Sequence, residues 1–150
     1  MLYIASDHGG FDLKKHLKEC LRERNVECAD LGVDSRESVD YPDYAAALAR
    51  EVLNDKDNQG ILICGTGIGM SIAANKFPGI RAALVHDEFT ARMAREHNNA
   101  NIIVLGGRVL NPGLACKIVQ IWLDSVYAGG RHQNRLEKIC ALEHLLNEPE

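Results

Sequence analysis

Gly60-Ile61-Leu62-Ile63-Cys64-Gly65-Thr66-Gly67-Ile68-Gly69-Met70-Ser71 is an apolar run that stops at a cysteine and empties into a glycine-rich turn. An unbroken apolar stretch of this length suits a strand buried on both faces of a parallel sheet. The residues from Ile68 onward read as the start of a helix, so the segment is a strand-turn-helix junction. In an open α/β sheet, ligands settle outside the carboxyl ends of the strands. Successive amides in such a turn, with the helix start behind them, make a fixed hole for negative charge. The same field favours the thiolate form of Cys64. One segment therefore offers a candidate base and a place to hold an anion.

Outward from this junction the same alternation repeats. Further strands are expected at Leu2–Ala5, Val26–Asp30, Arg81–Val85 and Asn101–Leu105. Phe11, Leu13, Leu17, Cys20 and Leu21 make one helical stripe; Tyr44, Ala47, Leu48, Glu51 and Val52 make another, entered through Pro42. Later helices are expected over Ile68–Lys76, Glu88–Asn98, Pro112–Ser125 and Arg131–Leu146. Strand and helix in alternation mean right-handed crossovers and a parallel sheet covered on both sides. The expectation is one α/β domain over residues 1–150, three-layered and Rossmann-like, with a five-stranded parallel sheet and a C-terminal helix from about 131. Periodicity leaves the strand order open.

The 150 residues suffice for a real core, and 46% hydrophobic with 25% charged residues is ordinary for a soluble globular chain. A net charge of −4 argues against nucleic acid and against anionic membrane surfaces as partners. Met1-Leu2-Tyr3-Ile4-Ala5 is too short for a signal sequence and lacks a cationic flank, and no apolar run reaches the length of a membrane span. Cys20, Cys28, Cys64, Cys116 and Cys140 are scattered and never spaced C-x-x-C. That pattern suits a reducing cytoplasm better than a disulfide framework or a zinc site, with all but Cys64 serving as small buried hydrophobes.

Unusual residues collect between the elements: Ser6-Asp7-His8-Gly9-Gly10, the Cys64 turn, His86-Asp87, Glu96-His97-Asn98-Asn99, Gly106-Gly107-Arg108 and Gly129-Gly130-Arg131-His132-Gln133-Asn134-Arg135. Most of these junctions are expected to share one rim of the sheet. Arg131 and Arg135 stand on one helical face and can converge on an anion, although the same spacing serves a solvated basic face. The Asp7-His8 pair reads either as an orienting pair or as a capping loop. Gly65-x-Gly67-x-Gly69 is neither a Walker A loop nor the dinucleotide fingerprint. A Cys64 thiolate can act as a general base, a nucleophile or a redox centre. A redox role wants a resolving cysteine, and a phosphatase loop wants a closing arginine where Met70 and Ser71 stand. The general base is the best of the three.

With these residues in place the chain resembles the type B ribose-5-phosphate isomerases of the ribose/galactose isomerase family. The resemblance is carried by Ser6-Asp7-His8-Gly9-Gly10-Phe11, Asp40-Tyr41-Pro42, Ile61 to Gly69, Ser71-Ile72-Ala73-Ala74-Asn75-Lys76, Gly79-Ile80-Arg81-Ala82-Ala83, Arg95 to Asn101 and Gly129 to Arg135, in family order as far as Glu143. It implies interconversion of aldose and ketose phosphates through a cis-enediolate, without metal or cofactor, in cytoplasmic pentose phosphate metabolism. Cys64 resembles the base that moves the proton between C2 and C1. Gly65, Thr66, Gly67, Ile68 and Gly69 match the turn that holds the enediolate oxygen, Thr66 counting among the catalytic positions. His97 resembles the ring-opening acid/base group, with Asn98 beside it. Asp7, His8 and Tyr41 match substrate-binding positions, and Arg108, Arg131 and Arg135 match those that grip the sugar or its phosphate. The resemblance also implies a homodimer, or a dimer of dimers, with sites at the subunit interface.

Some relatives lack the cysteine and carry a glutamate just after the last glycine of the turn. Met70 stands there and cannot accept a proton, which leaves Cys64 as the local base. Ribose 5-phosphate and ribulose 5-phosphate are the expected pair. The alternatives are a 6-phosphohexose such as allose or galactose 6-phosphate on the same site, a non-catalytic sugar-phosphate or nucleotide-binding module, and a thiol-dependent transferase or redox protein using Cys64.

Overall fold

The structure, a computed structural model, describes residues 1–147 and Pro149. Five parallel strands form one sheet: β1 (Leu2–Ser6), β2 (Cys28–Asp30), β3 (Gln59–Cys64), β4 (Ala82–Leu84) and β5 (Ile102–Gly106), in the order β2-β1-β3-β5-β4. Six α-helices accompany them: α1 (Phe11–Glu23), α2 (Tyr41–Leu53), α3 (Ile68–Ala74), α4 (Glu88–Glu96), α5 (Pro112–Asp124) and α6 (Arg131–Asn147). The three-layer fold and every expected strand and helix are present. Glu148 and Glu150, in the tail expected to finish the last helix, lie outside the described residues.

The sheet divides two apolar layers. Ile4, Ile61, Ile63, Ile103 and Leu105 face α1, α4 and α5 with Leu17, Ala91 and Trp122; Leu62, Cys64 and Val104 face α2 and α3 with Leu48, Ala49 and Met70. Connections from β1 run one way across the sheet and those from β3 the other, so the order reverses between these two strands. Such a reversal opens a crevice at the carboxyl ends, here flanked by Ser6 and Cys64.

Two buried polar groups are tied down. Trp122 Nε1 donates to the Ala100 carbonyl at 3.2 Å. Lys14, 2% exposed, donates to Asp30 Oδ1 at 2.8 Å and to the Val33 carbonyl at 2.6 Å. Burial works against a charged Asp30, but its bonds from Lys14, Lys18 and the Gly32 amide outweigh that and hold it below the usual carboxylate range.

The cysteines depart from expectation. Cys20 on α1 and Cys116 on α5 are joined as a disulfide with Cα atoms 6.3 Å apart, across 96 residues of sequence. Spacing along the chain carries no sign that these two helices pack side by side. Cys140 is exposed rather than a buried hydrophobe, because it lies on a face of α6 that points to solvent, although the helix itself is tied back by Glu143 accepting the Gly79 amide at 3.0 Å. Cys28 is half-buried; burial first and the Asp30 charge second push its thiol up to about 12. No helix among the described residues is long and apolar enough to cross a membrane.

Candidate active site

Three turns meet at the carboxyl edge of the sheet. After β1, Asp7 is buried and caps a short 3-10 turn, His8–Gly10, by accepting the Gly10 amide at 3.1 Å. His8 Nδ1 accepts the Val39 amide at 3.2 Å, which leaves the other ring nitrogen of neutral His8 to carry the proton. After β3 comes the Cys64 turn, and after β5 the Gly106-Gly107-Arg108 turn. Gly107 N donates to the Cys64 carbonyl at 2.8 Å and Arg108 N to the Gly65 carbonyl at 2.9 Å. These contacts are close enough that side chains are excluded: a methyl on Gly10 would stand 2.6 Å from the Ile63 carbonyl oxygen, and one on Gly107 2.6 Å from that of Gly9.

Cys64 ends β3 and is 4% exposed. Its Sγ accepts the Gly67 amide at 3.2 Å. Gly67 adopts a positive φ of 81°, a conformation that costs an L residue strain, and this turns its N–H back onto the sulfur. Thr66 is exposed and its Oγ1 accepts the Ile68 amide at 3.2 Å. Among the described residues no acceptor takes the Gly65, Thr66 or Gly69 amide. Helix α3 has only seven residues, so these discrete amides rather than a long dipole supply the positive field. Arg108 brings its guanidinium over the turn, 3.1 Å from where a Gly65 methyl would stand. The Tyr41 ring covers Gly69 from the start of α2. Asp7, His8, Tyr41, Cys64 to Gly69 and Arg108 thus share one rim.

His97, Asn98, Arg131 and Arg135 do not join them. Helix α4 runs back against the strands, and His97 caps its end just ahead of β5. This is the opposite edge of the sheet, separated by the length of β5, about 13 Å at the usual rise per residue. The expectation that most junctions share a rim fails here for a directional reason: helix-to-strand junctions lie at the far end from strand-to-helix junctions. The chain leaving α5 reaches the same place, where the Ala128 amide donates to the Glu96 carbonyl at 2.9 Å. His132 then stacks on His97 with ring centroids 4.1 Å apart and 18° between planes. Loss of hydration lowers the His132 pKa first, followed by the charges of His97, Arg131 and Arg135.

Sequence reasoning quoted His132 inside a motif but gave it no role; nothing in spacing pairs residues 97 and 132. It also missed the clamp behind His97. Arg81 donates to the Asn98 carbonyl at 3.1 Å and the Asn99 carbonyl at 2.9 Å, and Arg95 Nη1 donates to Asn99 Oδ1 at 3.0 Å. Asn99 has φ +43°, so the chain reverses sharply right after the His97-Asn98 pair.

A buried thiol under backbone amides at the switch point of a parallel sheet makes the chain, by class, a small-molecule α/β enzyme. The sequence pattern of the family described as Ribose/Galactose Isomerase matches residues 2–139. The Escherichia coli ribose-5-phosphate isomerase B is 48% identical over 144 residues, 96% of this chain and 97% of that protein. The solved structure of Clostridium thermocellum ribose-5-phosphate isomerase B superposes with a TM-score of 0.95 at 48% identity, covering 97% of this chain and 99% of that one. The Mycoplasma genitalium ribose-5-phosphate isomerase B, crystallised with bound ribulose 5-phosphate, does so with a TM-score of 0.92 at 44% identity, covering 95% of each. The chain belongs to the ribose/galactose isomerase family. It is a sugar-phosphate isomerase.

Proposed function

We propose that the chain interconverts ribose 5-phosphate and ribulose 5-phosphate through a cis-enediolate. The observation that carries this reading is the Cys64 sulfur, shielded from water and accepting the Gly67 amide, with unclaimed amides of the same turn beside it. The Gly67 N–H holds the sulfur in one position against the turn, where it can meet a substrate carbon. The thiolate takes the proton from C2 of the open-chain aldose and returns it to C1. The charge that develops on oxygen is met by the Gly65, Thr66 and Gly69 amides, fixed donors that act only as the proton leaves. Thr66 presents an exposed hydroxyl that can relay the proton between O1 and O2. His97 opens the furanose, with Asn98 as a substrate contact, and the Asp7, His8, Tyr41, Ile68, Arg108, Arg131 and Arg135 positions hold the sugar and its phosphate.

One chain cannot do all of this, since His97 and two of the arginines stand at the wrong edge of their own sheet. We infer a homodimer in which a second copy brings its His97, Asn98, Arg131 and Arg135 to the Cys64 rim. Exposed apolar side chains flank both groups: Ile68, Ile72 and Val109 at the rim, Ile139, Leu142 and Leu145 on α6. Turnover of ribose 5-phosphate, allose 6-phosphate and galactose 6-phosphate, in chelator and at equal concentration, tests the substrate. Preference for the pentose is expected. Preference for a hexose phosphate would transfer each role to a longer sugar, and inactivity on all three would overturn the reading.

A further inference from the structure

On the sheet face away from Cys64, three donors converge that the isomerase reading does not use. His16 and Cys20 stand one helical turn apart on α1, and Cys116 comes across from α5. Their ligand atoms all lie within 4.8 Å of one another. We propose that His16, Cys20 and Cys116 form a redox-gated binding site for a soft divalent cation of the zinc class.

A disulfide needs two sulfurs and nothing more, whereas here an imidazole stands at the same point. Two thiolates and an imidazole are the donor set that zinc prefers over magnesium or calcium. The i, i+4 spacing of His16 and Cys20 puts two ligands on one face of a rigid helix, with the third on its packed neighbour. A tetrahedral zinc with Zn–S of about 2.3 Å sets its sulfurs about 3.8 Å apart. The Cys20 and Cys116 Cα atoms, at 6.3 Å, sit toward the long end of the disulfide range, so opening the bond separates the sulfurs with little movement of either helix. Cys116 is backed by the core, while His16 and Cys20 are half-exposed, which gives the ion a route in and leaves its fourth position to water.

The disulfide is then the closed state of the same site. A small disulfide such as oxidised glutathione supplies the oxidant. One cysteine thiolate attacks it, forming a mixed disulfide and releasing one small thiolate. The second cysteine thiolate displaces the other small thiolate, the Cys20–Cys116 bond forms, and the cation leaves with its ligands gone. Two electrons pass from the cysteine pair to the oxidant, and no proton is left over.

The test is a titration of the reduced chain, under a phosphine reductant, with zinc against a chromophoric chelator, and with cobalt for thiolate charge-transfer and tetrahedral d–d bands. One zinc per chain is expected, lost in the Cys20→Ser, Cys116→Ser double variant and in protein oxidised with glutathione disulfide. His16→Ala, at a half-exposed position outside the core, is expected to weaken zinc at least tenfold. Equal stoichiometry in reduced parent and double variant would overturn the proposal. So would unchanged affinity in His16→Ala, which would leave a dithiol staple only.

Discussion

The carboxyl edge of the sheet and the edge where α6 begins are built on opposite plans. Around Cys64, three turns are bonded to one another through backbone groups, and Gly10 and Gly107 leave no room for a side chain. Around His97, by contrast, the key groups ride on a helix terminus and on the first turns of an arm whose apolar residues Ile139, Leu142 and Leu145 face solvent. Nothing lies within 4 Å of a methyl placed on Gly129 or Gly130 at the root of that arm. Both regions are tied to their own chain, the first by turns bonded to one another, the second by the Arg81 and Arg95 bonds to the Asn98-Asn99 reversal and by the Gly79 amide on Glu143. Only the second continues into an exposed apolar helix face. That division suits the proposed shared site, in which one subunit fixes the reacting atoms and the other delivers the groups proposed to open the ring and grip the phosphate.

The sharpest way to break this division is to remove its centre. Cys64→Ala should cut turnover by about 10²–10⁴-fold while substrate binding stays within about tenfold, because the arginines remain. Steady-state rates with calorimetric binding check it, and near-parental turnover would remove Cys64 as the base. His97→Asn should cost about 10²-fold on ring-closed sugar and far less on an open-chain analogue. Equal losses on both would end the ring-opening assignment.

Mixing the two inactive variants tests the division itself. A heterodimer of Cys64→Ala and His97→Asn chains contains one site with both groups intact if the site is shared between subunits. Random exchange in a symmetric dimer then restores about a quarter of parental activity. A site contained within one chain restores none, so unchanged inactivity after verified subunit exchange would refute the shared site.

What could be read from the sequence follows the same line. The Cys64 turn is contiguous, so its strand, thiol, glycines and helix were all legible from one stretch. The strands were legible because buried parallel strands are short apolar runs. Strand order was not, since it is set by which runs pack together rather than by any run's pattern. Nor was the stacking of His132 on His97, which depends on where α5 ends. The edge on which His97 lies follows from chain direction alone, once it is seen that a helix returning to a parallel sheet ends at the far rim. The Cys20–Cys116 bond needed the α1–α5 packing and left no local trace.

Stability should separate the two regions more gently. Gly10→Ala pushes a methyl against the Ile63 carbonyl and should cost about 1–3 kcal/mol in denaturant unfolding. Gly130→Ala meets open space and should cost only the left-handed backbone penalty at φ 58°, about 1–2 kcal/mol. A larger loss at Gly130 would mean that the arm is packed in solution, as subunit contact would make it.

The smallest effect expected is a slope with pH. His132 is held below its ordinary value near 6.5 by lost hydration and by the cations beside it. The unfolded chain therefore takes up this proton before the folded one does. The sign is that folding stability declines as pH drops from about 7 through 6.5, and the decline ends once both states are protonated. His132→Gln should flatten that part of the profile, measured by denaturant unfolding from pH 8 to pH 5. Because Arg131 and Arg135 contribute to the shift, an anion gripped by them should weaken it, so inorganic phosphate should flatten the parent profile in the same direction. A slope of opposite sign would place a carboxylate against the His97–His132 stack.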